Sequence, residues 1–179
     1  ECYSSSFHAT KVEAWNILVS GYIKTSYLKE VKPNQELGIV VDKLTQRFYI
    51  FQDGKLLTTL LCSTGLTMWN GSKYQPYNET RSGEFLLMGK VGTLVSDRLL
   101  CSYAIRFNSG DMIHEVPHVE NADGTNNYKS TEPKLGTKCS HGCIRVQRYR
   151  TPEGINMAWL YNKLSGGSKV KFVIWRSEE

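Results

Sequence analysis

Two alternating apolar runs flank the dipeptide Asp53-Gly54, and this arrangement constrains the fold more than any other feature of the chain. Asp and Gly tolerate the positive φ of a two-residue hairpin turn. The runs Gln46–Phe51 and Leu56–Cys62 are therefore predicted to fold back on each other as antiparallel strands. Upstream, Gly38–Asp42 is apolar and rich in β-branched residues. Downstream, Phe85–Met88, Ser102–Phe107 and Asp111–Val116 have strand character, the last two joined at Asn108-Ser109-Gly110. One good helix signal follows. Thr151 is a candidate N-cap and Pro152 would take the first helical position. Ile155, Trp159, Leu160 and Leu164 keep helical spacing, and Ser165-Gly166-Gly167 stops the run. Lys169–Trp175 reads as a closing strand. Many short strands with one late helix predict a mainly β domain, a sandwich or barrel.

At 179 residues the chain suits one main domain with a small appendage. Folding would bury roughly 70% of the surface of a chain this size, enough for a core without staples. Hydrophobic residues at 40% and charged residues at 22% exclude a disordered, collagenous or coiled-coil chain. The longest apolar runs are of the Phe172-Val173-Ile174-Trp175 kind, so no helical membrane span is expected in this piece. The net charge of +5 is spread along the chain, and only Arg145, Arg148 and Arg150 cluster. No stacking-aromatic or zinc-finger signature accompanies it, so nucleic acid is not the expected partner. A mild basic excess also suits an anionic polymer such as a bacterial wall. The chain begins at Glu1 without an initiator Met, so any secretion signal has been removed or omitted, and a membrane tether could lie upstream.

The first thirty residues differ from the rest. Glu13–Leu28 reads as two short strands around a Ser20-Gly21 turn. Trp15, then Gly21-Tyr22-Ile23, then Tyr27-Leu28 resemble the last strands of bacterial Src-homology-3-like modules. The expected organisation is the end of such a module at 1–30, a linker at 31–35 carrying Pro33 and Asn34, and the main domain at 36–176.

The densest reactive cluster is Cys139-Ser140-His141-Gly142-Cys143-Ile144-Arg145. A thiol nucleophile needs a base and needs donors for the oxyanion formed on attack. This stretch supplies a thiol, an imidazole two residues away, and a glycine that lets backbone N–H groups face a carbonyl. His114, after Met112-Ile113, offers a second imidazole at a strand end. Other readings compete. His114-Glu115-Val116-Pro117-His118 matches the His-Glu-x-x-His pattern of zinc proteases, but that pattern works on a helix and Pro117 opposes one. A structural zinc site from His114, Cys139, His141 and Cys143 has the right ligand types without the Cys-x-x-Cys spacing. A disulfide between Cys139 and Cys143 would silence the thiol. The five cysteines (Cys2, Cys62, Cys101, Cys139 and Cys143) leave at least one outside any intramolecular disulfide.

Ser140-His141-Gly142-Cys143-Ile144-Arg145, with His114 upstream on an Ile-His step, resembles the signature of the L,D-transpeptidases. The resemblance runs over roughly Glu36 to Trp175. It takes in the Ile39–Asp42 strand and its hairpin, Cys62-Ser63-Thr64-Gly65, Thr80-Arg81-Ser82-Gly83-Glu84-Phe85 with Arg81 in the place of a proline, Leu135-Gly136, and Gly167-Ser168-Lys169-Val170. It implies a mixed-sheet β-sandwich with one late helix and a lid-like loop over the site. It also implies roles. Cys143 would be the nucleophile and His114 its base. The backbone N–H groups of His141, Gly142 and Cys143 would stabilise the oxyanion, with Ser140 in support and the His141 side chain tuning the site. Glu115 would orient His114 through its carbonyl or its carboxylate. Arg145 would hold the loop or a substrate carboxylate. The implied reaction is cross-linking of peptidoglycan stem peptides, without metal or cofactor, by a monomer in the extracytoplasmic bacterial envelope. An L,D-carboxypeptidase using water as acceptor, and a wall-binding module with an inactive site, are the alternatives. Twenty-six positions separate His114 from Ser140, longer than usual for the family, and the polar segment 117–138 between them is expected to be a surface loop able to cover the site.

Overall fold

The computed structural model describes residues 9–14, 19–66, 68–69, 74–75, 78–164 and 169–175. The chain divides into two compact units between Lys32 and Pro33. In the first unit, β1 (Ala9–Ala14) and β2 (Val19–Lys24) form an antiparallel ribbon, followed by a single 3-10 turn at Thr25–Tyr27. The turn expected at Ser20-Gly21 is not there. Ser20 pairs with Glu13 and Gly21 with Val12, both inside β2, whose pairing with β1 extends to Val19 opposite Ala14. Trp15 and Cys2 lie outside the described residues.

The second unit opens with β3 (Leu37–Asp42), β4 (Arg47–Gln52) and β5 (Lys55–Ser63), an antiparallel meander. Asp53 and Gly54 carry φ of 50° and 75°, as a type I′ turn requires. Two short strands, β6 (Met68–Trp69) and β7 (Tyr74–Gln75), pair with each other. Then come β8 (Gly83–Leu86), β9 (Gly89–Ser96), β10 (Leu99–Arg106) and β11 (Met112–Glu115). A small ribbon of β12 (Val119–Glu120) and β13 (Asn126–Asn127) precedes β14 (Ile144–Val146), α1 (Met157–Lys163) and β15 (Lys171–Trp175).

Nine strands join into one mixed sheet, in the order β8-β15-β3-β4-β5-β14-β11-β10-β9. Two pairings are parallel, β15 with β3 and β11 with β14. The sheet folds back around a single apolar core. Phe107, just after β10, meets Phe172 of β15 edge-on at 5.0 Å and Phe85 of β8 at 5.3 Å. Val41, Phe48, Ile50, Leu60, Ile113 and Ile144 fill the space between and are completely buried. The expected sandwich is thus one sheet curled over its own core.

The helix begins later than expected. Asn156, not Thr151, is its N-cap, and its side chain accepts from the Trp159 N–H at 2.9 Å. Gly154, at φ 79°, breaks the helical path. Thr151 closes a small loop instead, its N–H donating to the Ile155 carbonyl at 2.9 Å and its hydroxyl accepting from the Ile155 N–H at 3.3 Å. Met157 and Leu160 bury the inner face of α1.

The segment 117–138 is more built than a loop of its composition suggests. Leu100 and His118 exchange backbone hydrogen bonds at 2.8 and 3.0 Å. The buried Thr131 hydroxyl donates to the Pro117 carbonyl at 2.5 Å. The Tyr128 ring lies between the His118 ring, 5.1 Å away, and the Arg148 guanidinium, 4.4 Å from its centroid. Arg148 is in turn bidentate on Glu132. A cavity of about 500 Å³ opens beside this cluster, lined by Asn121, Asn126, Asn127, Lys129 and Arg148 among others.

Candidate active site

The parallel pairing of β11 with β14 gathers the reactive residues. His114 stands opposite Arg145, and Cys143 immediately precedes β14. Side chains alternate across a sheet. Ile113 and Ile144 therefore point into the core, and His114, Cys143 and Arg145 share the opposite face. Cys143 stands two residues before Arg145, the partner of His114 in the register, and so lies diagonal to His114.

His114 is 3% exposed, and its Nδ1 lies 2.6 Å from the Glu115 backbone carbonyl. A carbonyl only accepts, so Nδ1 carries the proton and Nε2 keeps its lone pair. Burial pushes the ring's pKa down to about 4, aided by the positive charge of Arg145, while the Glu115 hydrogen bond opposes the shift. Cys143 is half-buried. Burial raises its pKa first, and Asp111 adds to this, while the Met112 backbone hydrogen bond and Arg145 pull the other way. At neutral pH the site therefore holds a neutral thiol and a neutral imidazole. No hydrogen bond joins them among the described residues in this resting geometry. Catalytic hydrogen bonds are often long in a substrate-free enzyme.

The loop bearing Cys143 is clamped on both sides. Ser140 Oγ donates to the Cys143 carbonyl at 2.5 Å and accepts from the Gly142 N–H at 3.2 Å. Thr80 Oγ1, fully buried, donates to the Gly142 carbonyl at 2.8 Å and accepts from the Gly65 N–H at 2.8 Å. Below it the Thr64 carbonyl accepts from the N–H groups of Cys139 and Ser140. Gly142 is required where it stands. Its φ is 120°, and a Cβ there would lie 2.9 Å from Asp111 Oδ1. Asp111 is paired with Arg81 at 3.4 Å.

Not every residue singled out from the sequence lands where expected. His141 is exposed. The Gly142 N–H, expected to face an oxyanion, is engaged by Ser140. Arg145 Nη1 reaches Cys139 Sγ at 3.5 Å. The Glu115 carboxylate turns away from His114 and accepts from Tyr128 at 3.2 Å. Cys62, Cys101, Cys139 and Cys143 are all free thiols. No group of three or more metal-ligating side chains occurs among the described residues. Sequence reasoning missed the supporting residues. Lys43, 2% exposed, donates to Glu79 at 2.5 Å and to the Thr80 carbonyl at 3.0 Å. Buried Gln46 bonds both the N–H and the hydroxyl of Thr64. A buried Lys and Gln in a turn four residues long, Lys43–Gln46, carry no local signal of this use.

The L,D-transpeptidase catalytic-domain family matches residues 36–172 of the chain. No curated protein matches it. Among solved structures, an L,D-transpeptidase from Mycobacterium smegmatis has a TM-score of 0.55 at 18% identity, over 96% of this chain and 69% of that one. An L,D-transpeptidase from Mycobacterium tuberculosis H37Rv has a TM-score of 0.53 at 20% identity, over 78% of this chain and 57% of that one. A further L,D-transpeptidase, solved in complex with imipenem, has a TM-score of 0.55 at 20% identity, over 93% of this chain and 67% of that one. At such identities the likeness is one of fold.

Proposed function

This chain belongs to the L,D-transpeptidase family, and from that premise we propose that it cross-links peptidoglycan stem peptides through a Cys143 thioester. One observation carries the proposal: a buried imidazole, fixed as the Nδ1–H tautomer by a backbone carbonyl and unprotonated at neutral pH, shares a sheet face with a half-buried thiol. Such an imidazole is a base held ready, and the neutral thiol gives up its proton only as substrate arrives.

In the first step His114 Nε2 takes the Cys143 proton as sulfur attacks the carbonyl of the third residue in a tetrapeptide stem. Negative charge gathers on the carbonyl oxygen. As the intermediate collapses, the C–N bond to the terminal D-Ala breaks, and the proton on Nε2 goes to the departing amine. A thioester remains. In the second step the side-chain amine of a neighbouring stem attacks the thioester and loses a proton to His114. The thiol leaves and is reprotonated, and a 3→3 cross-link has formed. Water in place of the amine gives hydrolysis by the same steps. Arg145, on the same face as the pair, is suited to a substrate carboxylate. This chemistry takes place in the cell wall, so the domain works outside the cytoplasm. The segment 1–30, whose described part is the β1–β2 ribbon, is read as the end of a wall-binding Src-homology-3-like module.

The test is a donor tetrapeptide incubated with the protein and followed by mass spectrometry. Release of D-Ala and a cross-linked dimer are expected, both absent in Cys143→Ala. Release without dimer assigns hydrolysis. No release, or release that persists in the variant, overturns the proposal.

A further inference from the structure

The residue that holds the Gly142 carbonyl lies outside the reactive sequence, sixty-two positions upstream. A peptide unit is planar, and every described peptide here is trans, so the carbonyl of residue 142 and the N–H of residue 143 point in opposite directions from one rigid plate. The Gly142 carbonyl is gripped by Thr80 Oγ1 at 2.8 Å. That grip sets the orientation of the plate and hence the aim of the Cys143 N–H. The same hydroxyl accepts from the Gly65 N–H, so its proton is committed to Gly142. Gly142 could not replace this donor, because Ser140 already holds its N–H. The N–H groups of His141 and Cys143 have no hydrogen-bond partner among the described residues.

Thr80 is itself braced. Its side chain is fully buried, and its own carbonyl accepts from Lys43 Nζ at 3.0 Å. Lys43 is paired with Glu79 at 2.5 Å. A lysine this deeply buried is costly to keep unless its charge is matched, and here the match falls on the two residues that present the Thr80 hydroxyl. We propose that Thr80 is a positioning residue for acyl transfer, which aims the Cys143 N–H at the developing oxyanion by holding the Gly142 carbonyl, with Lys43 as its support. This rests on the acyl-transfer function proposed above.

Two reactions of the same thiol separate this role from a purely structural one. Acylation by a carbapenem passes through a tetrahedral oxyanion. Alkylation by iodoacetamide, at a saturated carbon, does not. In Thr80→Val, which keeps the shape and removes the hydroxyl, acylation of Cys143 should slow by about 10²-fold, of the order lost with one oxyanion donor, while alkylation stays within about threefold of wild type. Thr80→Ser should recover acylation to within about fivefold. Lys43→Met should give the same selective loss at about a tenth of the size, and it decides the matter should Thr80→Val fail to fold. Equal slowing of both reactions, or unchanged acylation in a folded Thr80→Val or Lys43→Met, overturns the positioning role. Wild type that alkylates but never acylates would instead overturn the acyl-transfer reading itself.

Discussion

Gly65 should be nearly irreplaceable, and the structure says by how much. The residue forms a bridge with Ser140, beside the reactive loop. A Cβ built on it would lie 1.8 Å from the Asn78 carbonyl oxygen and 2.6 Å from the Thr80 N. Both are backbone atoms, so no rotamer change relieves the clash. Restoring ordinary contact of about 3.5 Å means moving the 78–80 backbone by about 1.7 Å. Overpacking of this kind costs about 1–3 kcal/mol. The shift also breaks the two 2.8 Å hydrogen bonds of Thr80 Oγ1, at about 1 kcal/mol each. Gly65→Ala should therefore lose about 3–5 kcal/mol, which for a domain of this size lowers Tm by about 10 °C. Carbapenem acylation should fall with it, even well below the new Tm, because Thr80 no longer reaches Gly142. Gly38→Ala, where nothing lies within 4 Å of the added Cβ, is the matched control and should melt within about 2 °C of wild type. Calorimetry with an acylation time course reads both quantities. A Gly65→Ala protein that melts with the control and acylates at the wild-type rate would refute the packing argument.

Other expectations follow from the same geometry. The buried His114 ring has its pKa lowered to about 4 from an unfolded value of about 6.5. The unfolded chain thus binds a proton more readily, and the stabilisation is present above pH 6.5 and lost as pH falls toward 4. Melting curves from pH 7.5 to 4.5 should fall more steeply for wild type than for His114→Gln, and parallel curves would count against a buried neutral ring. His114→Ala should slow acylation by about 10²–10⁴-fold, whereas His141→Ala, at an exposed position, should cost under tenfold. The reverse order would move the base to His141. Glu115→Gln should leave acylation within about threefold, since the backbone carbonyl holds His114 and the carboxylate faces Tyr128. A tenfold loss would assign the orientation to the carboxylate.

Much of the fold was legible because its signals are local. The hairpin at Asp53-Gly54 and the runs of β3, β5, β10 and β11 follow from turn chemistry and alternation within a few residues. Two strands of the nine-stranded sheet escaped. Gly89–Ser96 is a half-exposed edge interrupted by Gly92 at φ 93°, so its apolar residues never form a clear alternating face. Ile144–Val146 is three residues long and exists because β11 and β5 flank it. The helix start was misplaced because Thr151-Pro152 is a sound local signal that Gly154 overrides. At the site, the thiol and the imidazoles were visible as reactive types, and the resemblance picked out Thr80 as part of a motif. That the Thr80 hydroxyl grips Gly142 and that Lys43 is buried to support it are contacts between loops far apart in the chain. No spacing along the chain encodes them.

The decisive measurement is intact mass after incubation with a carbapenem, on wild type and Cys143→Ala, followed by peptide mapping. A single acyl adduct on Cys143, absent from the variant while Cys62, Cys101 and Cys139 stay unmodified, is the expected result. No adduct on wild type, or one that persists in Cys143→Ala, would contradict Cys143 as the nucleophile of this domain.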